Sequence, residues 1–216
     1  MPTSSFAAVL SSLTSGFAQT AFIFGATLLC AIPLGTIICM CSLSNFKPLR
    51  WVTKGFIWCI RGTPLMLQMF VILYVPGIVF DIPMKSRMTA VLVAFIINYA
   101  TYFSEIYRAG IQSIPVGQFE AAQVLGMTKM QTFFRVVLMH VIKRIIPPMS
   151  NEIITLVKDT SLARVIGIAE IVMCAERFTK QGLIWPLFFT GLYYLIFVGL
   201  LTLLFSYIEK KLDYYR

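Results

Sequence analysis

The residues of this sequence best suited to chemistry are few, and they sit among lipid-like neighbours. Asn98 falls in the middle of a charge-free run from Met88 to Ser104, and Lys158 and Asp159 close the run Ile153-Ile154-Thr155-Leu156-Val157. A buried amide left unpaired in hydrocarbon costs several kcal/mol. Asn98 should therefore face protein, water or a polar solute, with interhelical glue at about 1 kcal/mol as the plain alternative. An ionised lysine in such a run requires a carboxylate or a wet cavity. Glu152 is six positions back and Asp159 is adjacent, so neither shares the helix face of Lys158. Its partner must come from another helix, another subunit or a solute carboxylate. We expect Lys158 and Asp159 to line a polar pathway, with structural pairing as the alternative. On that expectation Lys158→Met cripples solute passage and leaves assembly intact. Glu105 and Arg108, three apart, should form a local pair.

None of this amounts to catalysis. His140 is the one histidine, and no cluster of His, Asp or Glu gathers on a face that could serve as an acid–base site. Among five cysteines, Cys39 and Cys41 are two apart and point to different helix faces, so neither a metal clamp nor a bound metal is expected. No Gly-rich loop ending in Lys-Ser/Thr occurs, so the chain should bind no nucleotide and no cofactor of its own. Energy for moving a solute must come from a partner or an ion gradient. A gradient-driven secondary transporter or channel subunit is the alternative to a partner-driven one, and it predicts transport by this chain alone.

The elements that must position these groups follow from charge spacing. Apolar residues make up 58% of the 216 and charged residues only 12%, about half the usual charged share. No charge precedes Lys47, and further charge-free runs cover 62–80, 88–104 and 181–208. A span needs about 20 apolar residues, and its backbone must be helical to satisfy itself. The expected class is an all-α integral membrane protein, one domain over 1–216, with five transmembrane helices at about 17–43, 57–76, 88–107, 136–159 and 185–207. The first run lacks a basic flank and is too long for a signal peptide, so it is expected to belong to the mature protein.

The fourth of these spans carries Lys143, Arg144, Glu152, Lys158 and Asp159. It is credible only if partners line it, and charge asymmetry argues for it. With five spans and the N-terminus outside, Lys47, Arg50, Lys54, Arg61, Arg108, Lys129, Arg135, Lys143, Arg144, Lys210, Lys211 and Arg216 all fall inside. The net charge of +9 is then a topology signal and not a nucleic-acid groove. Five helices give little wall for an enclosed pathway, so a dimer with the pathway at its interface is expected.

Between the third and fourth spans the character changes. Pro115 can open a helix, good helix formers follow, and Gly126 can close it, giving a short polar helix over about 116–126. Phe119 and Leu125 are spaced to share a face with Ala122 between them, Ala121 and Ala122 would allow close approach, and Glu120 suits the helix start. Docking of a partner and lying on the bilayer surface are equally open on these residues. Farther back, Arg61-Gly62-Thr63-Pro64 precedes the second span, where Thr63 can cap a helix and Pro64 can occupy its first turn.

Glu120-Ala121-Ala122 followed by Gly126, Arg61-Gly62-Thr63-Pro64-Leu65, and Lys158-Asp159-Thr160-Ser161-Leu162 together resemble the permease subunit of bacterial ATP-binding-cassette importers for polar amino acids. The likeness covers nearly the whole chain. It implies that Pro115, Gly117, Phe119, Glu120, Ala121, Ala122, Leu125 and Gly126 form a cytoplasmic coupling helix seated on an ATPase. It implies a gate near Arg61, Gly62, Thr63 and Pro64, and a substrate pathway at Asn98, Tyr99, Tyr102, Lys158, Asp159 and Ser161. The implied partners are a second permease subunit, identical or related, two ATPase subunits that use ATP-Mg, and an extracytoplasmic amino acid-binding protein. The implied place is the bacterial inner membrane, multi-pass, with the N-terminus outside and the C-terminus in the cytoplasm. The sequence departs from the pattern in two places. Met139-His140 stands where a proline usually follows Leu138, implying a less bent helix. No acidic residue stands beside Asn98, which weighs against a basic amino acid.

Overall fold

The computed structural model describes residues 5–212, which leaves Arg216 outside the described residues. Among them there is no strand. Helix α1 (Phe6–Leu43) is followed by α2 (Lys47–Arg61), α3 (Leu65–Phe80), α4 (Arg87–Gln112), α5 (Val116–Val124) and the short α6 (Lys129–Thr132). A π-helical turn (Phe133–Val137) leads into α7 (Leu138–Asp159), and a 3-10 stretch (Thr160–Ile166) leads to α8 (Ile171–Thr179) and α9 (Trp185–Leu212).

Helix α4 is the centre. Ala90, Val91, Ala94, Phe95, Ala100 and Phe103 are buried along it, and α1, α3 and α7 pack around it. The long α1 lies closest because it offers small residues where backbones meet. A Cβ on Gly35 would stand 3.0 Å from the Ala100 carbonyl oxygen. One on Gly16 would stand 2.9 Å from Ile171 Cα, at the start of α8. With lipid as solvent, this close approach replaces the hydrophobic drive that holds soluble helices together. Gly16→Ala is therefore expected to lower stability by about 1–3 kcal/mol through overpacking, read as a lower melting temperature of the purified protein in detergent. Unchanged melting would mean that α1 and α8 are not in that contact.

Among the described residues three helices, α1, α4 and α9, are long and apolar enough to cross a membrane, and the pair α2–α3 makes a fourth if counted together. Its charges keep α7 from qualifying by composition.

The stretch 57–76, expected as one span, is not one helix. It breaks between Arg61 and Leu65, and the two pieces are turned by 106°. The cause is local. Pro64 disfavours helical geometry at Thr63, and Pro64 stands at the N-cap position of α3 with no side-chain cap. Thr63, expected to cap the second helix, instead turns back: its hydroxyl donates to the Cys59 carbonyl at 3.0 Å. The open corner is filled by Gln68, whose Nε2 donates to the Ile60 carbonyl at 2.7 Å and to the Thr63 hydroxyl at 3.0 Å.

Helix α5 starts after Pro115 and ends where Gly126 takes φ +69°. The Met127 amide then donates back to the Ala122 carbonyl at 3.0 Å, which satisfies one of the open helix-end carbonyls. The missing proline after Leu138 is matched by a different device, the π-helical widening just before it, with Pro147 and Pro148 farther along α7.

On the opposite side of the sequence break, Glu170 caps α8. Its carboxylate accepts from the amides of Val172 at 2.8 Å and Met173 at 2.7 Å. Glu170 is fully buried, and burial pushes its carboxyl above the usual range against the pull of those two amides. The charge thus serves the helix, while Arg164 and Glu176 pair beside it.

Candidate functional site

Helices α3, α4 and α7 and the Arg61–Pro64 corner line an open cavity of about 530 Å³, a size within the ordinary range for small-molecule sites. Arg61, Gly62, Thr63, Pro64, Leu65, Asn98, Tyr99, Tyr102, Glu152, Thr155 and Asp159 line it. The four expected gate residues and four of the six expected pathway residues thus share one chamber. A neighbouring chamber of about 490 Å³ shares Arg61, Gly62 and Tyr102 and adds Lys54, Trp58, Glu105 and Arg108.

Several polar groups in the wall have fixed partners. Asn98 is buried, and its Nδ2 donates to Gln68 Oε1 at 3.0 Å. That bond ties the middle of α4 to the α2–α3 corner, because Gln68 also holds Ile60 and Thr63. Gln68 had no place among the expected site residues. Tyr99 is buried, and its hydroxyl donates to Asp159 Oδ2 at 2.7 Å, bridging α4 to α7. The Arg61 guanidinium lies 4.9 Å from the centre of the Tyr102 ring, a cation–π distance. Arg108 grips both oxygens of Glu105, at 2.9 and 2.6 Å, as the local pairing predicts.

Two expected pathway residues are not brought to the chamber. Lys158 is exposed on another face of α7, outside the residues that line the chamber. Ser161 bonds back to the Lys158 carbonyl at 2.8 Å and lies outside the lining set. The helix turns Asp159 inward and Lys158 away, so of the two it is the carboxylate that faces the chamber.

Two lining residues were missed, Glu152 and Thr155. Their signal was present: 152, 155 and 159 are spaced i, i+3, i+7, one face of a helix. Glu152 was set aside because it does not share a face with Lys158, but it does share one with Asp159. The supposed lack of an acidic residue near Asn98 is corrected in the same way. None stands beside Asn98 in α4, yet α7 supplies two carboxylates to the same chamber.

At the far end of α4, α5 stands out from the bundle. Pro115 opens it, and Gly117 faces open space. Ala122 is only 2% exposed and faces the chain itself, which corrects its expected place on a docking face. The side opposite Ala122 carries Val116, Glu120 and Val124 at i, i+4, i+8, with the two valines 69% and 87% exposed. Phe119 and Leu125 are exposed on its flanks, and Ala121 is exposed beside them. Beneath the start of α5, Ile114 packs on Val137 and Val141, and Arg144 of α7 donates to the Ser113 carbonyl, so the root of α5 is anchored to α7.

Comparison with known proteins gives one consistent picture. The family model described as "Binding-protein-dependent transport system inner membrane component" matches residues 31–214. The L-cystine transport system permease protein TcyB of Bacillus subtilis is 40% identical over 90% of this chain and 81% of its own. The arginine transport system permease protein ArtQ of the same organism is 33% identical over 93% of this chain and 92% of its own. A crystal structure of an amino acid ABC transporter with histidines superposes with a TM-score of 0.84 at 30% identity, covering 94% of each chain.

Proposed function

The chain belongs to the family of binding-protein-dependent transport system inner membrane components and is an amino-acid permease of the ATP-binding-cassette type, and from that premise we propose that it forms the translocation pathway of an ATP-driven importer of polar amino acids. The observation that carries the proposal is the polar chamber itself. In a chain this apolar, Arg61, Glu152 and Asp159 converge with Asn98, Tyr99 and Tyr102 on one cavity. One cation facing two carboxylates suits a zwitterion, with its ammonium toward Asp159 and Glu152 and its carboxylate toward Arg61.

The chamber belongs at the interface of a permease dimer, identical or related, where a second subunit completes the wall. Five crossings are proposed, with α2–α3 and α7 counted as one each, the N-terminus outside and the C-terminus in the cytoplasm of a bacterial inner membrane. Helix α5 is the coupling helix and seats on one of two ATPase subunits, which bind ATP-Mg. An extracytoplasmic binding protein delivers the amino acid. Closure of the ATPase pair moves the anchored α5 and α7 together and turns the chamber outward, a rigid-body switch between two states.

The test is uptake of labelled L-cystine, L-arginine and L-glutamine by vesicles holding this chain with its ATPase and its binding protein. ATP-dependent uptake of at least one is expected, competed by the others according to fit. Uptake without the ATPase would overturn the proposal.

A further inference from the structure

Arg61 stands where the two chambers meet and is the one cation among the described residues lining the polar one. It is held lightly. Its Nη1 lies 3.6 Å from Glu105 Oε2, while Arg108 already holds both oxygens of that carboxylate. An exposed ion pair of that length contributes little, and Glu105 stays bonded when Arg61 leaves. Tyr102 lies under the guanidinium and lines both chambers, so it offers a surface over which the group can swing without losing its cation–π contact. Arg61 also ends α2, directly before the corner that Gln68 and Asn98 pin from the other side.

We infer that Arg61 is a partner-exchanging receptor for the substrate carboxylate. With the chamber empty it leans on Glu105. When an amino acid enters, the carboxylate takes the guanidinium, whose planar fork accepts two oxygens at once, and Glu105 is left to Arg108. Glu105 is then a competitor that sets how readily the carboxylate is captured, and Arg61 is what makes the pathway select acids over their neutral derivatives. The inference rests on the amino-acid reading of the chamber.

The experiment uses the nucleotide-free complex with its ATPase in lipid nanodiscs. Binding of L-arginine is compared with L-argininamide, and L-cystine with its diamide, since the amides keep the ammonium and lose the carboxylate charge. The wild type should prefer acid over amide by at least about tenfold, because a site built for a charged group rejects the analogue lacking it. Arg61→Met should bring the two within about twofold, and Arg61→Lys should keep part of the preference, by the same criterion. Glu105→Gln should tighten the acid several-fold and leave the amide unchanged. An undiminished preference in Arg61→Met, with uptake by the wild type normal, sinks this inference alone; so does equal weakening of acid and amide in Glu105→Gln. A wild-type complex that takes up no amino acid under ATP sinks the amino-acid reading and the inference with it.

Discussion

Asp159→Asn is expected to lower ATP-driven amino-acid uptake by about 10²–10³-fold while the amount of assembled complex stays the same. Asparagine has the same shape and can still accept from the Tyr99 hydroxyl, which now lies 2.7 Å from Asp159 Oδ2. The α4–α7 bridge therefore survives, and only the charge goes. A half-buried carboxylate facing a substrate ammonium is one side of a desolvated pair, and removing one side of such a pair costs about 3–5 kcal/mol. Tyr99→Phe separates charge from orientation. It keeps the carboxylate but leaves it unheld and should reduce uptake only several-fold, in line with about 1 kcal/mol for one hydrogen bond. Uptake in vesicles and the yield of co-purified ATPase are the two readouts. Wild-type uptake by Asp159→Asn together with loss in Glu152→Gln would move the ammonium partner about two turns along α7, to Glu152.

How far the chamber could be read from sequence depends on the range of each contact. The charge-free runs that make up most of α1, α4 and α9 mark themselves, because a long stretch without charge has one physical meaning in a membrane. The second run does not mark its corner. Hydropathy averages over Arg61–Leu65 and is blind to direction, although Gly62-Thr63-Pro64 lay inside the expected span. Asn98 stood out as a buried amide, but its partner Gln68 is 30 positions away on another helix. Asp159 and Tyr99 are 60 apart, and no helical spacing relates them. What spacing does carry is the Glu152, Thr155, Asp159 face. In the sequence that face is masked by Lys158, the costlier charge to bury, which the fold places outside the chamber. The inward turn of Ala122 is a similar case. Small size permits contact with a partner or with the chain's own α6 and π-helical turn, and only the packing decides.

Replacing both Val116 and Val124 by aspartate is expected to strip the ATPase from the complex and to abolish uptake, with the permease still made and folded. The two side chains are among the most exposed apolar groups described, 69% and 87% open, so their loss takes nothing from the bundle. On the proposed docking face each valine would contribute about 1.5–3 kcal/mol on burial, and each aspartate would bring a charge to be desolvated beside Glu120. Together that exceeds about 10³-fold in affinity, enough to lose the ATPase during purification. Ala122→Asp is the contrasting variant. Ala122 is buried against the chain, so a carboxylate there should lower the amount of folded permease, whereas the double variant should not. If the ATPase stays stoichiometric on the double variant, the force from ATP does not enter through this face of α5. If the ATPase leaves while uptake continues, the chain works without it, and the gradient-driven alternative gains what the coupling helix loses.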